Sequence, residues 1–161
     1  MTAPPLPLPL AGVRPLELAD AAPLQGLLTR CAGYFRAADG RGPGPHAAME
    51  RLAEAAGDDA AMLWGAWRQD QLVGLLEVRL HEPGPREITV VLLLVDPAAR
   101  RAGLGRSLID ALVEPLDPER WRALCLGVQD PQKIAHAFWL ALGFVPHGRE
   151  AGVTRYVRAL G

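Results

Sequence analysis

Leu92-Leu93-Leu94-Val95-Asp96-Pro97-Ala98-Ala99-Arg100-Arg101-Ala102-Gly103-Leu104-Gly105-Arg106-Ser107 is the stretch on which the fold turns. It starts inside an apolar run, Ile88 to Val95, and a run this apolar suits a strand covered on both faces. Asp96-Pro97 ends the strand. A helix follows from about Gly103 to Val113, with Leu104, Leu108, Ile109 and Leu112 on one face, and Pro115 stops it. A helix start leaves backbone N–H groups unpaired and partly positive. Glycines let the backbone approach a ligand closely. Strand, glycine turn and helix together make an anion site suited to phosphates, and Arg100, Arg101 and Arg106 add formal charge. A Walker loop is excluded, because Gly105 is followed by Arg106-Ser107 instead of Lys-Ser/Thr. A dinucleotide fingerprint is excluded, because its third glycine falls on Leu108.

Upstream of this stretch, Val13-Arg14-Pro15-Leu16 reads as a short first strand. Asp20 stands where it can cap a helix running to about Thr29–Cys31. Arg36 to Pro45 carries Gly40, Gly42, Pro43, Gly44 and Pro45 and reads as a loop. A helix from about His46 to Ala56 follows. Then come Ala61–Trp67, a tight turn at Gln69-Asp70-Gln71, and Leu72–Leu80 as its hairpin partner. Downstream, Trp121–Val128 reads as a strand. Asp130-Pro131 reads as a helix cap with proline at the first turn, and that helix ends at Leu142 with Gly143 beyond it. Thr154–Arg158 is a last strand, with room for one more near Phe144. The expected order is β-α-α-β-β-β-α-β-α-β(-β). That is an α/β mixed sheet of six or seven strands with four helices packed on it.

The 161 residues are half apolar, 22% charged and of net charge −1, enough for one domain with a sizeable core. Residues 1–11, with four prolines in the first ten, are expected to be a flexible tail before a single domain at 12–161. No basic stripe suggests nucleic acid. No apolar run is long enough for a membrane span. The proline-rich start lacks the features of a secretory signal. Cys31 and Cys125 match no metal spacing and suit a reducing compartment, so a cytoplasmic protein without a metal is expected.

Arg100-x-x-Gly103-x-Gly105, following a strand that ends Val95-Asp96-Pro97, resembles the acyl-CoA-binding motif [RQ]-x-x-G-x-[GA] of the GCN5-related N-acetyltransferases (GNAT). Val13-Arg14-Pro15 with Asp20, Leu72-Val73-Gly74-Leu75-Leu76, and Ala135 with Phe138-Trp139-Leu140-Ala141-Leu142-Gly143-Phe144 resemble further family landmarks in the same order. The resemblance spans residues 12 to 160. It implies that the strands at Ile88–Val95 and Trp121–Val128 splay apart around the pantetheine of acetyl-CoA. Backbone groups of Leu93, Leu94 and Val95 would pair with that arm. Amides from Arg101 through Ala102, Gly103, Leu104 and Gly105 to Arg106 would take the pyrophosphate, and a backbone donor near Leu94 would polarise the thioester carbonyl. The implied activity is transfer of an acetyl group to a primary amine by direct attack.

The chain departs from the family pattern at three places. Trp139 stands where the family usually has a tyrosine that protonates the departing thiolate, and an indole donates a hydrogen bond without being a usable acid. Gln132 stands where an asparagine is common. Thr89 aligns with a frequent glutamate base, leaving Glu87, two residues earlier on the same strand face, as the candidate base and Glu77 as the other. Glu77 alternates with Leu76 and Val78 and is compatible with a solvent-facing position. The segments Tyr34–His46 and Val145–Val153 are expected to wall the acceptor side. With Asp39 as the first segment's one carboxylate, a small mono-amine is the expected acceptor, with Arg36 or Arg41 meeting a carboxylate of its own. A CoA-binding module without transferase activity is the alternative reading, a nucleotide-binding domain is a third, and a homodimer is compatible with the family.

Overall fold

The structure, a computed structural model, describes residues 6–161. Seven strands form one sheet in the order β1-β2-β3-β4-β5-β7-β6. They are β1 (Val13–Pro15), β2 (Ala61–Arg68), β3 (Gln71–Leu80), β4 (Glu87–Val95), β5 (Ala123–Gln129), β6 (Val145–Glu150) and β7 (Val153–Ala159). Five helices accompany them: α1 (Ala21–Arg30), α2 (Ala32–Asp39), α3 (Ala47–Ala56), α4 (Leu104–Val113) and α5 (Lys133–Ala141). The β2–β3 hairpin turns at Gln69 and Asp70, both with positive φ (50° and 65°), the twist that a two-residue hairpin requires. All pairings are antiparallel except β4–β5, which α4 bridges. Among the described residues no helix is long and apolar enough to cross a membrane.

Apolar side chains fill both faces of the sheet. On one face α4 and α5 cover Leu76, Val78, Ile88, Val90, Leu124 and Leu126. On the other, α1, α2 and α3 cover Leu63, Leu72, Leu75, Leu92 and Leu94. Strand β4 thus contributes Ile88 and Val90 to one core but Leu92 and Leu94 to the other. An unbroken strand would send all four to the same side. The reason is a bulge. Val78 and Glu77 are consecutive on β3 yet face Val90 and Leu92 on β4, which leaves Val91 as the extra residue.

Four expectations from the sequence need correction. The segment from Arg36 is helical as far as Asp39, because alanines and the packed ring of Phe35 precede the glycine cluster and Gly40 (φ +78°) provides the left-handed stop. This adds a fifth helix. Val145–Val153 is not a loop throughout: the further strand allowed for near Phe144 forms as β6 by backbone pairing with β7 while each β6 residue stays exposed, so no apolar alternation marks its bounds. Asp130 does not cap α5, whose N-cap is Gln132. Arg149 of β6 holds the Asp130 carboxylate instead. Finally, the expected tail to residue 11 is in part docked. Leu8 is buried against the α4/α5 core, with Leu6 and Leu10 packed beside it, while residues 1–5 lie outside the described residues.

Candidate active site

Strands β4 and β5 pair only at Glu87↔Ala123, Ile88↔Leu124 and Thr89↔Cys125. Beyond that point they part, and among the described residues no strand lies beside the β5-facing edge of Val90–Val95. An unpaired strand edge in the middle of a sheet is a row of open backbone donors and acceptors. A cavity of about 280 Å³ opens at the split, where Val91 and Leu92 face Gly127 and Gln129. Val91 is 39% exposed because the bulge turns it out of either core. Gly127 leaves its side of the opening clear of a side chain.

The far end of β4 runs into the glycine loop. Arg101 and Gly103 both take left-handed φ (70° and 77°), and Gly103 is the N-cap of α4. A Cβ on Gly103 would meet nothing within 4 Å, so the space over the helix start is open. Ser107 N–H is the first amide of this helix that bonds back to Gly103, at 2.9 Å, leaving those of Leu104, Gly105 and Arg106 at the open end. Alternating backbone conformation of this kind aims consecutive N–H groups at one anion. Gly105 is more confined than Gly103. A Cβ there would lie 3.2 Å from the ring of Phe138, so its missing side chain lets α4 and α5 approach. Arg100 donates to the Val95 carbonyl at 3.1 Å, and Arg106 donates to the Ala141 carbonyl at 3.4 Å at the end of α5.

Asp96 anchors this loop. Its carboxylate accepts from Arg30 Nε of α1 at 2.6 Å and from Ala98 N–H at 2.9 Å. The same guanidinium donates to the Leu72 carbonyl at 2.8 Å, and Asp96 N–H donates to Val73. Burial opposes ionisation of Asp96. The Ala98 N–H and Arg30 outweigh it and hold the carboxyl below its ordinary value.

On the α2/α3 side the cavity is lined by Tyr34, Phe35 and Asp39 of α2 and by Arg51 of α3. Arg51 pairs through Nη1 with Glu77 of β3, whose side chain is 9% exposed against 29% for Arg51. Glu77 is therefore buried under a guanidinium and does not face solvent. Gln132 lines the cavity from the start of α5. Arg36 and Arg41 do not line it, so the cation on this side is Arg51, which no local motif marks.

Glu87 is not brought to the split. It lies where β4 and β5 still pair, with Arg122 Nη2 at 3.4 Å and the Cys125 thiol at 3.7 Å from its carboxylate. Burial, and then the Glu87 charge, push Cys125 up to about 11, which leaves it without nucleophilic character near neutrality. Trp139 is buried in the α4/α5 core, edge-on to Phe138 at 4.9 Å and Phe144 at 5.1 Å. His136 is tied inward between the Tyr156 hydroxyl (2.6 Å) and the Gln129 carbonyl (3.0 Å).

A mixed sheet split between two parallel neighbours, with a glycine loop at the mouth of the split, defines the acyl-CoA N-acyltransferase class of fold. The model of the acetyltransferase (GNAT) family matches residues 28–144, and the chain belongs to that family. Among solved structures it is similar to an acetyltransferase from Thermus thermophilus, at 25% identity and TM-score 0.85 over 92% of this chain and 96% of that one. A PaiA N-acetyltransferase from Thermoplasma acidophilum in complex with coenzyme A shares the fold at 12% identity and TM-score 0.74, over 91% and 97% of the two chains. The ribosomal-protein-S18-alanine N-acetyltransferase from Escherichia coli does so at 18% identity and TM-score 0.70, over 92% and 93%. Comparison with curated protein sequences finds no match.

Proposed function

We propose that the protein transfers an acetyl group from acetyl-CoA to the primary amine of a small acceptor by direct attack, without a covalent enzyme intermediate. The observation that carries this reading is the unpaired β4 edge, which leads from the glycine loop at one end to the cavity at Val91 and Leu92 at the other. The residues present fit acetyl-CoA. The open amides of Leu104, Gly105 and Arg106 suit a pyrophosphate, and Arg101 lies beside them. The free edge of Leu93, Leu94 and Val95 suits the pantetheine amides as an added strand. Gln132, at the mouth of the cavity, extends the polar lining. Backbone N–H groups at the Val91 bulge, rather than at Leu94, stand nearest the cavity and suit the developing oxyanion.

The amine enters from the α2/α3 side. Asp39 is the carboxylate lining that side, and it attracts the ammonium and takes its proton, directly or through water. The new N–C bond then replaces the C–S bond. The departing thiolate belongs to a class with pKa of about 8.5, so water protonates it without a dedicated acid. The buried packing of Trp139 accords with that role being vacant. Much of the rate comes from holding amine and thioester together.

The test has two parts. Acetyl-CoA at about 100 times its dissociation constant is expected to add roughly 2.7 kcal/mol to stability. For a chain this long that is a Tm rise of about 5–10 °C. Small primary amines are then expected to release free CoA and gain an acetyl group by mass. A thermal shift with no turnover of any amine reduces the protein to a CoA-binding module. Absence of any shift refutes the reading.

A further inference from the structure

We infer that Arg51, held in place by Glu77, is the anchor for an anionic group on the acceptor, so that the acceptor is a small amino-carboxylate and not a simple amine or a polyamine. The inference rests on the acetyl-transfer reading above and names the substrate class of that same cavity.

Glu77 is a carboxylate inside a strand flanked by Leu76 and Val78, and it is buried. Such a group is costly unless it is paired. Arg51 of α3 supplies the partner through Nη1. The pairing also works in the other direction, because it fixes a long, flexible side chain in one orientation at the cavity wall. A guanidinium carries five N–H donors in a planar fork. Glu77 engages one of its nitrogens. Among the described residues Nε and Nη2 of Arg51 have no hydrogen-bond partner, and the side chain stays 29% exposed on the cavity side. A fork with an open edge is suited to a carboxylate.

The charges that face the cavity agree. Its ionised lining residues are Asp39 and Arg51, one of each sign. The phenol of Tyr34 lies within the field of both. Burial raises its pKa most, Asp39 raises it further and Arg51 lowers it, so the three groups converge on one region. One carboxylate for an ammonium and one guanidinium for a carboxylate complement a zwitterion. A polyamine would find a second cation opposed by Arg51. A volume of about 280 Å³, at the small end for ligand sites, suits a molecule of amino-acid size. Glu77 does not touch the acceptor and acts as a positioning residue through Arg51.

The experiment compares matched acceptors at saturating acetyl-CoA: a panel of amino acids, the methyl ester of each, and the corresponding decarboxylated amine. The wild-type protein is expected to favour the best amino acid over its ester and its amine by about 10- to 100-fold in kcat/KM. Arg51→Gln is expected to level that ratio, mainly through KM, and Arg51→Lys to restore it only in part, because a point charge replaces the fork. Glu77→Gln is expected to raise KM for the amino acid with kcat little changed, and Glu77→Asp to recover part of the loss. Each variant is checked for its acetyl-CoA thermal shift, which reports the fold and the glycine loop independently. Esters or decarboxylated amines turned over as well as amino acids, or a ratio unchanged in Arg51→Gln, overturn the inference and leave acetyl transfer standing. Turnover of none of the panel despite an acetyl-CoA shift also overturns it. Loss of the shift in the wild type removes the parent reading instead.

Discussion

Two glutamates on neighbouring strands show how little a residue's type says about its task. Glu87 and Glu77 both stand in apolar runs, and Glu87 aligns better with where a base is expected. Parallel pairing to β5 still holds at Glu87, so its carboxylate faces Arg122 and Cys125 at the closed end of the strands. Glu77 faces Leu92, one residue from the bulge that opens the cavity. Glu87→Gln is therefore expected to change kcat/KM by less than about threefold and to leave its pH profile in place, where loss of a general base costs about 10²–10⁴-fold. Trp139→Phe belongs in the same assay. It keeps an aromatic ring between Phe138 and Phe144 and removes the N–H, and the expected loss is tenfold or less, the scale of one hydrogen bond of roughly 1 kcal/mol. A thousandfold loss in either variant, with the fold intact, would reinstate that residue as catalytic.

Strand β4 is the element on which the site depends, and it is specialised at its middle and at its C-terminal end. At mid-strand the Val91 bulge switches the strand's apolar side chains from one core to the other and leaves Val91 lining the cavity. At the loop end Asp96 ties β4 to α1 through Arg30. This tie has a pH signature. The folded carboxyl titrates below its unfolded value of about 3.9, so the native state binds fewer protons there than the unfolded chain does. The stability it contributes is complete above that unfolded value and disappears as pH falls through it towards the folded one. Tm is expected to be insensitive to this group from pH 7 to about 5 and to fall below about pH 4. Asp96→Asn is expected to cost about 1–3 kcal/mol at pH 7, since Arg30 is partly solvated, and to flatten the acid slope. Thermal melts from pH 3 to 7 check both, and a parallel acid slope in the variant would assign the pH dependence elsewhere.

At the scale of the whole molecule, the sheet carries a core on each face, and the stretch before β1 completes one of them. Leu8 packs into the α4/α5 core with Leu6 and Leu10 beside it. Leu10 N–H bonds to the Leu8 carbonyl, and Val13 N–H bonds to that of Leu10. Leu8→Ala is expected to destabilise the protein by about 2 kcal/mol, the low end for a buried leucine because the site lies at the rim. That is a Tm loss of about 4–8 °C for a chain of this length. A tail with no packing role would give no change.

The elements whose side chains alternate or recur with helical period were legible in the sequence. β2, β3, β4, α1, α3 and α4 all lie within about two residues of their expected ends, because local burial patterns reflect local backbone geometry. The glycine loop was legible for a related reason. Positions such as Gly103, with a φ that side chains disfavour, write a conformational demand directly into residue type. Strand β6 was not legible as a continuous element, since pairing with β7 forms it and nothing in Val145-Pro146-His147-Gly148-Arg149-Glu150 alternates. The cavity lining was legible only in part: the expected wall at Tyr34–His46 supplies Tyr34 and Asp39, but Arg51 and its partner were missed for the same reason at longer range. Arg51 and Glu77 are 26 positions apart, and the rest of the lining comes from α2 (Tyr34, Asp39), β4 (Val91) and β5 (Gly127, Gln129), which are far apart in the chain. The sequence by itself determined the class of fold and the place of the glycine turn before α4, both of which are encoded over a few neighbouring residues. Only the tertiary structure decided which charged groups share the cavity. That follows from where β4 and β5 stop pairing, and a strand's pairing partners lie outside its own sequence.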